Sequence, residues 1–106
     1  MYRLLVLYNK PEDPESWEKA YLTGHVPLAS MHPNLRNLRV GKVQDTLEGE
    51  HSFYYAAELE WDSKEDMLKD LQADTSVSRA AKEDGKKYKG QRIVIGYDLN
   101  EYKADK

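Results

Sequence analysis

Along this chain, apolar residues alternate with polar ones in some stretches and recur at helical spacing in others. Residues 2–8 (YRLLVLY) place Tyr2, Leu4, Val6 and Tyr8 on one face of a strand and Leu5 and Leu7 on the other. Apolar side chains on both faces predict a strand covered twice. Residues 35 to about 47 predict a second strand, with Leu38, Val40 and Lys42 on one face and Val43 on the other. Residues 51–61 alternate most regularly: Phe53, Tyr55, Ala57, Leu59 and Trp61 against Tyr54, Ala56, Glu58 and Glu60. A short turn at Glu48-Gly49-Glu50 makes these two an antiparallel hairpin. Residues 91–99 predict the last strand, with Ile93, Ile95 and Tyr97 opposite Val94 and Gly96.

Helical spacing fills the gaps. Asp13 suits an N-cap, with Pro14 at the first helical position and Glu15 at the positive end of the dipole. From Pro14 to about Met31, a 3.6-residue wheel gathers Trp17, Ala20, Tyr21, Gly24, Leu28 and Met31 on one side, with His25 at the margin. Two helix breakers interrupt this run. Gly24 costs ~1 kcal/mol against Ala in a helix interior; Pro27 costs ~3 kcal/mol, removes a donor and predicts a kink. Between them lies His25, whose side chain titrates near neutral pH. Ser63 to Asp66 predicts a capped start for a helix carrying Met67, Leu68 and Leu71. A further short helix begins near Ser76, turns Val77, Ala80 and Ala81 inward, and ends near Gly85.

The order β-α-β-β-α-β predicts an α+β, ferredoxin-like domain over residues 1–99, a four-stranded antiparallel sheet with helices on one face. Residues 100–106 form a polar C-terminal tail. The sheet's second face would expose Leu5, Leu7, Val43 and Val94, or their opposite numbers. An apolar patch of that size marks an interface, and a second copy under two-fold symmetry is the simplest cover. A homodimer with sheets face to face is expected.

Composition narrows the function. With no Cys there is no disulfide framework, thiolate chemistry or Cys-bearing zinc or iron–sulfur site. The apolar runs are too short to span a bilayer, and no signal-peptide pattern opens the chain, so a cytoplasmic protein without membrane association is expected. A net charge of −3 argues against nucleic acid. The local cluster Lys82, Lys86, Lys87, Lys89 and Arg92 suits a solvated surface. Eight Tyr and two Trp stand beside one Phe, and rings with polar tips suit a pocket or an interface as well as a core.

The opening Tyr2-Arg3-Leu4-Leu5-Val6-Leu7-Tyr8-Asn9-Lys10-Pro11-Glu12-Asp13-Pro14 and the helical Trp17…Tyr21-Leu22-Thr23-Gly24-His25-Val26-Pro27-Leu28-Ala29 resemble the EthD family. So do Pro33-Asn34-Leu35 and Val40-Gly41-Lys42-Val43. The resemblance runs to about Trp61 and is looser beyond, where the lysine-rich 82–89 stretch departs from the more apolar run expected of the family. It implies a dimeric α+β barrel. It also implies two kinds of role: part of a bacterial ether-degradation system working with a cytochrome, or cofactor-independent dehydratase-type chemistry, as in fungal relatives acting on polyketides. His25 is the position that carries over.

An imidazole near neutrality can take a proton from an acidic carbon or phenol and return it to a leaving group, provided a pocket excludes water. His25 is the candidate catalytic residue; Tyr8, Trp17, Tyr21, Leu28, Tyr55 and Trp61 are candidate substrate-binding residues. The same His25 would equally suit a core position bonded to a carbonyl. No cofactor is expected. Nor is a metal, since His25 and His32 are seven residues apart, ~10 Å of helical rise. Glu58 and Glu60 share a strand face and suit solvated charge. Two functions lead: a cofactor-free acid/base enzyme of dehydratase, cyclase or isomerase type acting on an apolar or aromatic small molecule, and a non-catalytic binding or accessory module of an oxidative degradation pathway. A cofactor-free monooxygenase is a third, weaker reading, since nothing in the sequence shows how oxygen would be activated.

Overall fold

Strands β1 (Tyr2–Asn9), β2 (Leu35–Lys42), β3 (Phe53–Trp61) and β4 (Arg92–Asp98) form one antiparallel sheet in the order β2-β3-β1-β4. The computed structural model describes residues 1–105; Lys106, the last residue of the expected tail, lies outside the described residues. Helices α1 (Pro14–Ala20), α2 (Val26–Ala29), α3 (Lys64–Gln72) and α4 (Ser76–Gly85) complete the ferredoxin-like α+β plan. Register places Leu4 beside Leu59 and Gly96, and Val6 beside Ala57 and Val94. With Tyr8, Leu38 and Val40, these residues form the helix-facing side. The other side carries Leu5, Leu7, Ala56, Ile93 and Ile95, then Arg3, Arg39, Glu58 and Glu60.

Two strand-face expectations change. Val94 lies on the helix face and lines a cavity there, whereas Ile93 and Ile95 take the open face beside Leu7 and Leu5. Glu60 is not solvated. It is 4% exposed and receives hydrogen bonds from Arg3, Asn37 and Arg39 across both neighbouring strands. Glu58 joins the same network through Arg3 and Arg39. The hairpin connection is also longer than the turn predicted. Strand β2 stops at Lys42, and residues 43–52 run irregularly past Gly49, whose φ of +85° suits glycine.

Local chemistry sets the helix starts. The side chains of Asp13, Ser63 and Thr75 accept from the backbone N–H groups of Ser16, Asp66 and Ser78. Between α1 and α2 the chain makes a π turn (Tyr21–His25), in which the Val26 N–H donates to the Tyr21 carbonyl five residues back. Pro27, which has no N–H to give, comes next, so the widened turn absorbs the break that the sequence places there. One extra residue in a turn rotates the downstream residues by about 100°. Gly24 and Met31 therefore face solvent, while His25, Ala29 and His32 turn inward. Leu28, expected inward, is half-buried.

The core is largely aromatic. Tyr8 packs edge-on to Trp17, Tyr21 and Tyr88 at ring separations of 5.3, 4.9 and 5.5 Å, and Trp17 stacks on Tyr21 at 4.8 Å. Tyr55 closes the group at 5.6 Å from Tyr21.

Candidate functional site

A cavity of about 490 Å³ lies between the helix face of the sheet and the helices. Its floor is Leu4, Val6, Leu38, Ala57, Leu59 and Val94; its roof comes from Val26, Ala29, Leu71 and Ala81. Tyr8, Tyr21, His25, His32 and Arg92 add polar groups to this apolar shell. A volume of this order accepts a small organic molecule.

His25 ends the π turn and is 9% exposed. Its Nδ1 lies 2.9 Å from Oδ2 of Asp84 on α4, and Asp84 Oδ1 lies 2.7 Å from Lys87 Nζ. Burial pushes the imidazole below the usual 6.5, opposed by Asp84 and assisted by the positive charges of Arg92 and Lys87. The Lys87 ammonium, aided by His25, holds the Asp84 carboxyl below its ordinary range. A carboxylate only accepts, so Nδ1–H donates to Asp84 and the neutral ring carries its free lone pair on Nε2. No described residue hydrogen-bonds that nitrogen. A neutral imidazole oriented by a carboxylate, with its second nitrogen unengaged, has the parts of a general base.

His32, 8% exposed, lines the same cavity and is held below 6.5 chiefly by burial. Its Nδ1 is buried without a hydrogen-bond partner. The neighbouring carboxylate, Asp70 on α3, is already saturated. It accepts from Trp61 Nε1 at 2.8 Å, from Asn34 Nδ2 at 2.8 Å and from the Asn34 N–H at 3.0 Å. Among the described residues, no group of three or more His, Cys, Asp or Glu side chains could hold a metal ion, and no helix is long and apolar enough to cross a membrane.

Of the residues singled out in the sequence, His25, Tyr8 and Tyr21 meet at the cavity wall. Burial and the neighbouring Tyr8 push the Tyr21 hydroxyl far above its usual range, so it is a neutral donor at any working pH. Trp17, Leu28, Tyr55 and Trp61 are not among the lining residues. Trp17 and Tyr55 stand behind Tyr8 and Tyr21 in the aromatic core. Trp61 is fully buried, its indole bound to Asp70, and Leu28, half-buried on α2, is turned off the lining face that Ala29 and His32 occupy. Asp84, Arg92, His32 and Asp70 were not singled out as site residues. An Asp in a charged helix looks like surface, and nothing within α4 signals a partner 59 residues away.

Known proteins bear on this arrangement. No family model matches the chain. An uncharacterised 11.0 kDa protein from the thcB–thcC intergenic region of Rhodococcus erythropolis is 38% identical over 65 residues, which are 60% of this chain. The match spans 62% of that relative's length. The crystal structure of an ethyl tert-butyl ether D (EthD) family protein from Bacillus halodurans superposes with a TM-score of 0.84 at 26% identity, covering 94% of this chain and 99% of that one. A hydroxynitrile lyase from Passiflora edulis shares the fold at a TM-score of 0.74 and 17% identity, over 97% of this chain and 96% of that one. A dimeric ferredoxin-like protein of unknown function from Thermobifida fusca does so at 0.65 and 19%, over 92% of this chain and 90% of that one. The chain is ferredoxin-like in its sheet and helices and similar over nearly its whole length to a protein of the EthD family.

Proposed function

We propose that this protein binds an apolar or aromatic small molecule in the cavity between sheet and helices and acts on it, without a cofactor, as an acid/base catalyst. The observation that carries this reading is the His25–Asp84 pair: an imidazole kept neutral by burial, with Nε2 unengaged at the wall of an apolar chamber. Nε2 takes a proton from an acidic C–H or phenol and returns it to a departing hydroxyl, which leaves as water in a dehydration or dehydrative cyclisation, or to a second carbon of the same molecule in an isomerisation. Tyr21 supplies a neutral hydroxyl nearby, and Trp17, Tyr55 and Trp61 back the wall rather than form it. A lyase on the same fold in Passiflora edulis supports the reading by analogy alone.

The test is His25→Gln assayed without added cofactor on β-hydroxy aryl ketones, following loss of water by absorbance. The rate should fall ~10²–10⁴-fold with the fold intact. An unchanged rate removes His25 from the chemistry. Saturable binding without turnover in the parent protein supports the accessory-module reading.

The homodimer belongs to the same proposal. Leu5, Leu7, Ile93 and Ile95 form an apolar strip on the open face, Ile93 and Ile95 being 46% and 45% exposed. Beside it lies the Arg3, Arg39, Glu58 and Glu60 network. Ile95→Lys should halve the mass measured by light scattering; a monomeric parent at micromolar concentration would end this part of the reading.

A further inference from the structure

The cavity wall is lopsided in charge. Lys82, Lys86, Lys89 and Arg92 line it, and no Asp or Glu does. The whole chain is acidic, at −3, so this excess is local. Lys86 is engaged by Glu83 at 2.9 Å. Among the described residues, Lys82, Lys89 and Arg92 have no carboxylate within salt-bridge distance.

Arg92 is the informative member. The lysines can solvate themselves at the rim, whereas Arg92 is half-buried. Its guanidinium lies over the Tyr8 ring at 5.9 Å and the Tyr88 ring at 5.8 Å, and Nη1 reaches the Tyr8 hydroxyl at 3.4 Å. Gly85 leaves room for it: a Cβ there would sit 3.3 Å from Nη2 and 4.0 Å from the His25 Cε1. Arg92 and His25 thus flank the same glycine. Two rings orient the guanidinium and neither neutralises it. A planar fork so held is matched by a carboxylate.

Register gives the cavity a direction. Arg92 is opposite Tyr8, while the Leu4, Leu59 and Leu38 rung lies four residues along β1, ~13 Å at strand rise. One end is cationic, and the floor beyond it is apolar. Resting on the reading of this cavity as a ligand site, we infer that its ligand is an amphiphilic acid: an organic carboxylate whose head pairs with Arg92 beside His25 and whose apolar body lies along Val6, Leu4, Leu59 and Leu38. The charge is present before any reaction, so Arg92 selects the ligand and fixes which end faces His25.

Calorimetry on the full-length protein tests this with benzoate, 1-naphthoate and decanoate against their methyl esters. The tightest acid should bind at least about tenfold better than its ester. Arg92→Gln should erase that preference while leaving the ester within about twofold, and Arg92→Lys should keep part of it. Circular dichroism melts show whether each variant is folded. If esters match or exceed acids in the parent protein, the inference falls and the ligand site stands. If the acid preference survives Arg92→Gln, it falls likewise. If neither series binds the parent, the ligand-site reading falls, and the acid with it. Should Arg92→Gln not fold, a folded Arg92→Lys with parental affinity for both series would overturn the bidentate role.

Discussion

Two aspartates on neighbouring helices of this small domain, Asp70 buried and Asp84 half-buried, each meet a ring nitrogen, and they do opposite things. Asp70 on α3 is 1% exposed, and its carboxylate is saturated by the Trp61 indole and two donors of Asn34. Those bonds join α3, the end of β3 and the turn before β2, and both carboxylate oxygens are engaged. Asp84 on α4 splits its oxygens between Lys87 and His25. Its histidine keeps one ring nitrogen without a partner, at the wall of the cavity. A saturated buried network holds a fold together. A network with one open valence is a place where a ligand can complete it. The difference lies in the ring: an indole has a single polar atom, an imidazole has two.

If the Asp70 group is structural, Asp70→Ala should cost about 3 kcal/mol in urea unfolding, because it strands the Trp61 and Asn34 donors in the interior. A loss below ~1 kcal/mol would put the two aspartates in the same class. Asp84→Asn should cost under ~1 kcal/mol of stability, since its Lys87 partner is largely exposed, yet slow His25-dependent turnover at least about tenfold. By NMR titration the His25 pKa should drop further, because the carboxylate that raises it is gone.

The pH dependence sharpens the contrast. His25 and His32 are both held below 6.5 in the folded chain, so the unfolded chain binds protons first as pH falls. Stability should be full above about pH 6.5 and decline as pH drops through the folded pKa values. Asp84 and Glu60, held below their ordinary 3.8 and 4.5, add a second loss that begins at about pH 4.5 and deepens as pH falls further. His32→Leu should remove its share of the first decline; an unchanged profile would show that His32 is not buried in its neutral form. Gly24→Ala is the smallest change. Gly24 has no positive φ, and a Cβ would meet nothing within 4 Å, so a gain of ~0.5–1 kcal/mol is expected.

The segment around Gly24 marks the limit of what local spacing encodes. Gly24 and Pro27 announce a broken helix, and the break is there. Their spacing does not say that the break is a π turn, and the whole inward face after it moves by one residue. Gly24, Leu28 and Met31 give way to His25, Ala29 and His32. His25 was visible as an odd residue between two breakers; His32 was visible only as a second histidine at an unhelpful spacing. Glu60, on a strand in clear alternation, looked solvated because its three partners sit on two other strands.

By itself the chain determined its element order, its caps and the sheet face of nearly every strand residue. These come from contacts within a few residues of each other: period two in strands, 3.6 in helices, and a side-chain oxygen three residues before the N–H it accepts from. Only the tertiary structure decided that Asp84 meets His25 across 59 residues, that Arg92 lies between two tyrosines, and that Trp61 belongs to Asp70 rather than to the cavity. Such pairings depend on how α3 and α4 settle on the sheet, and periodicity in one segment carries no information about the distance to another.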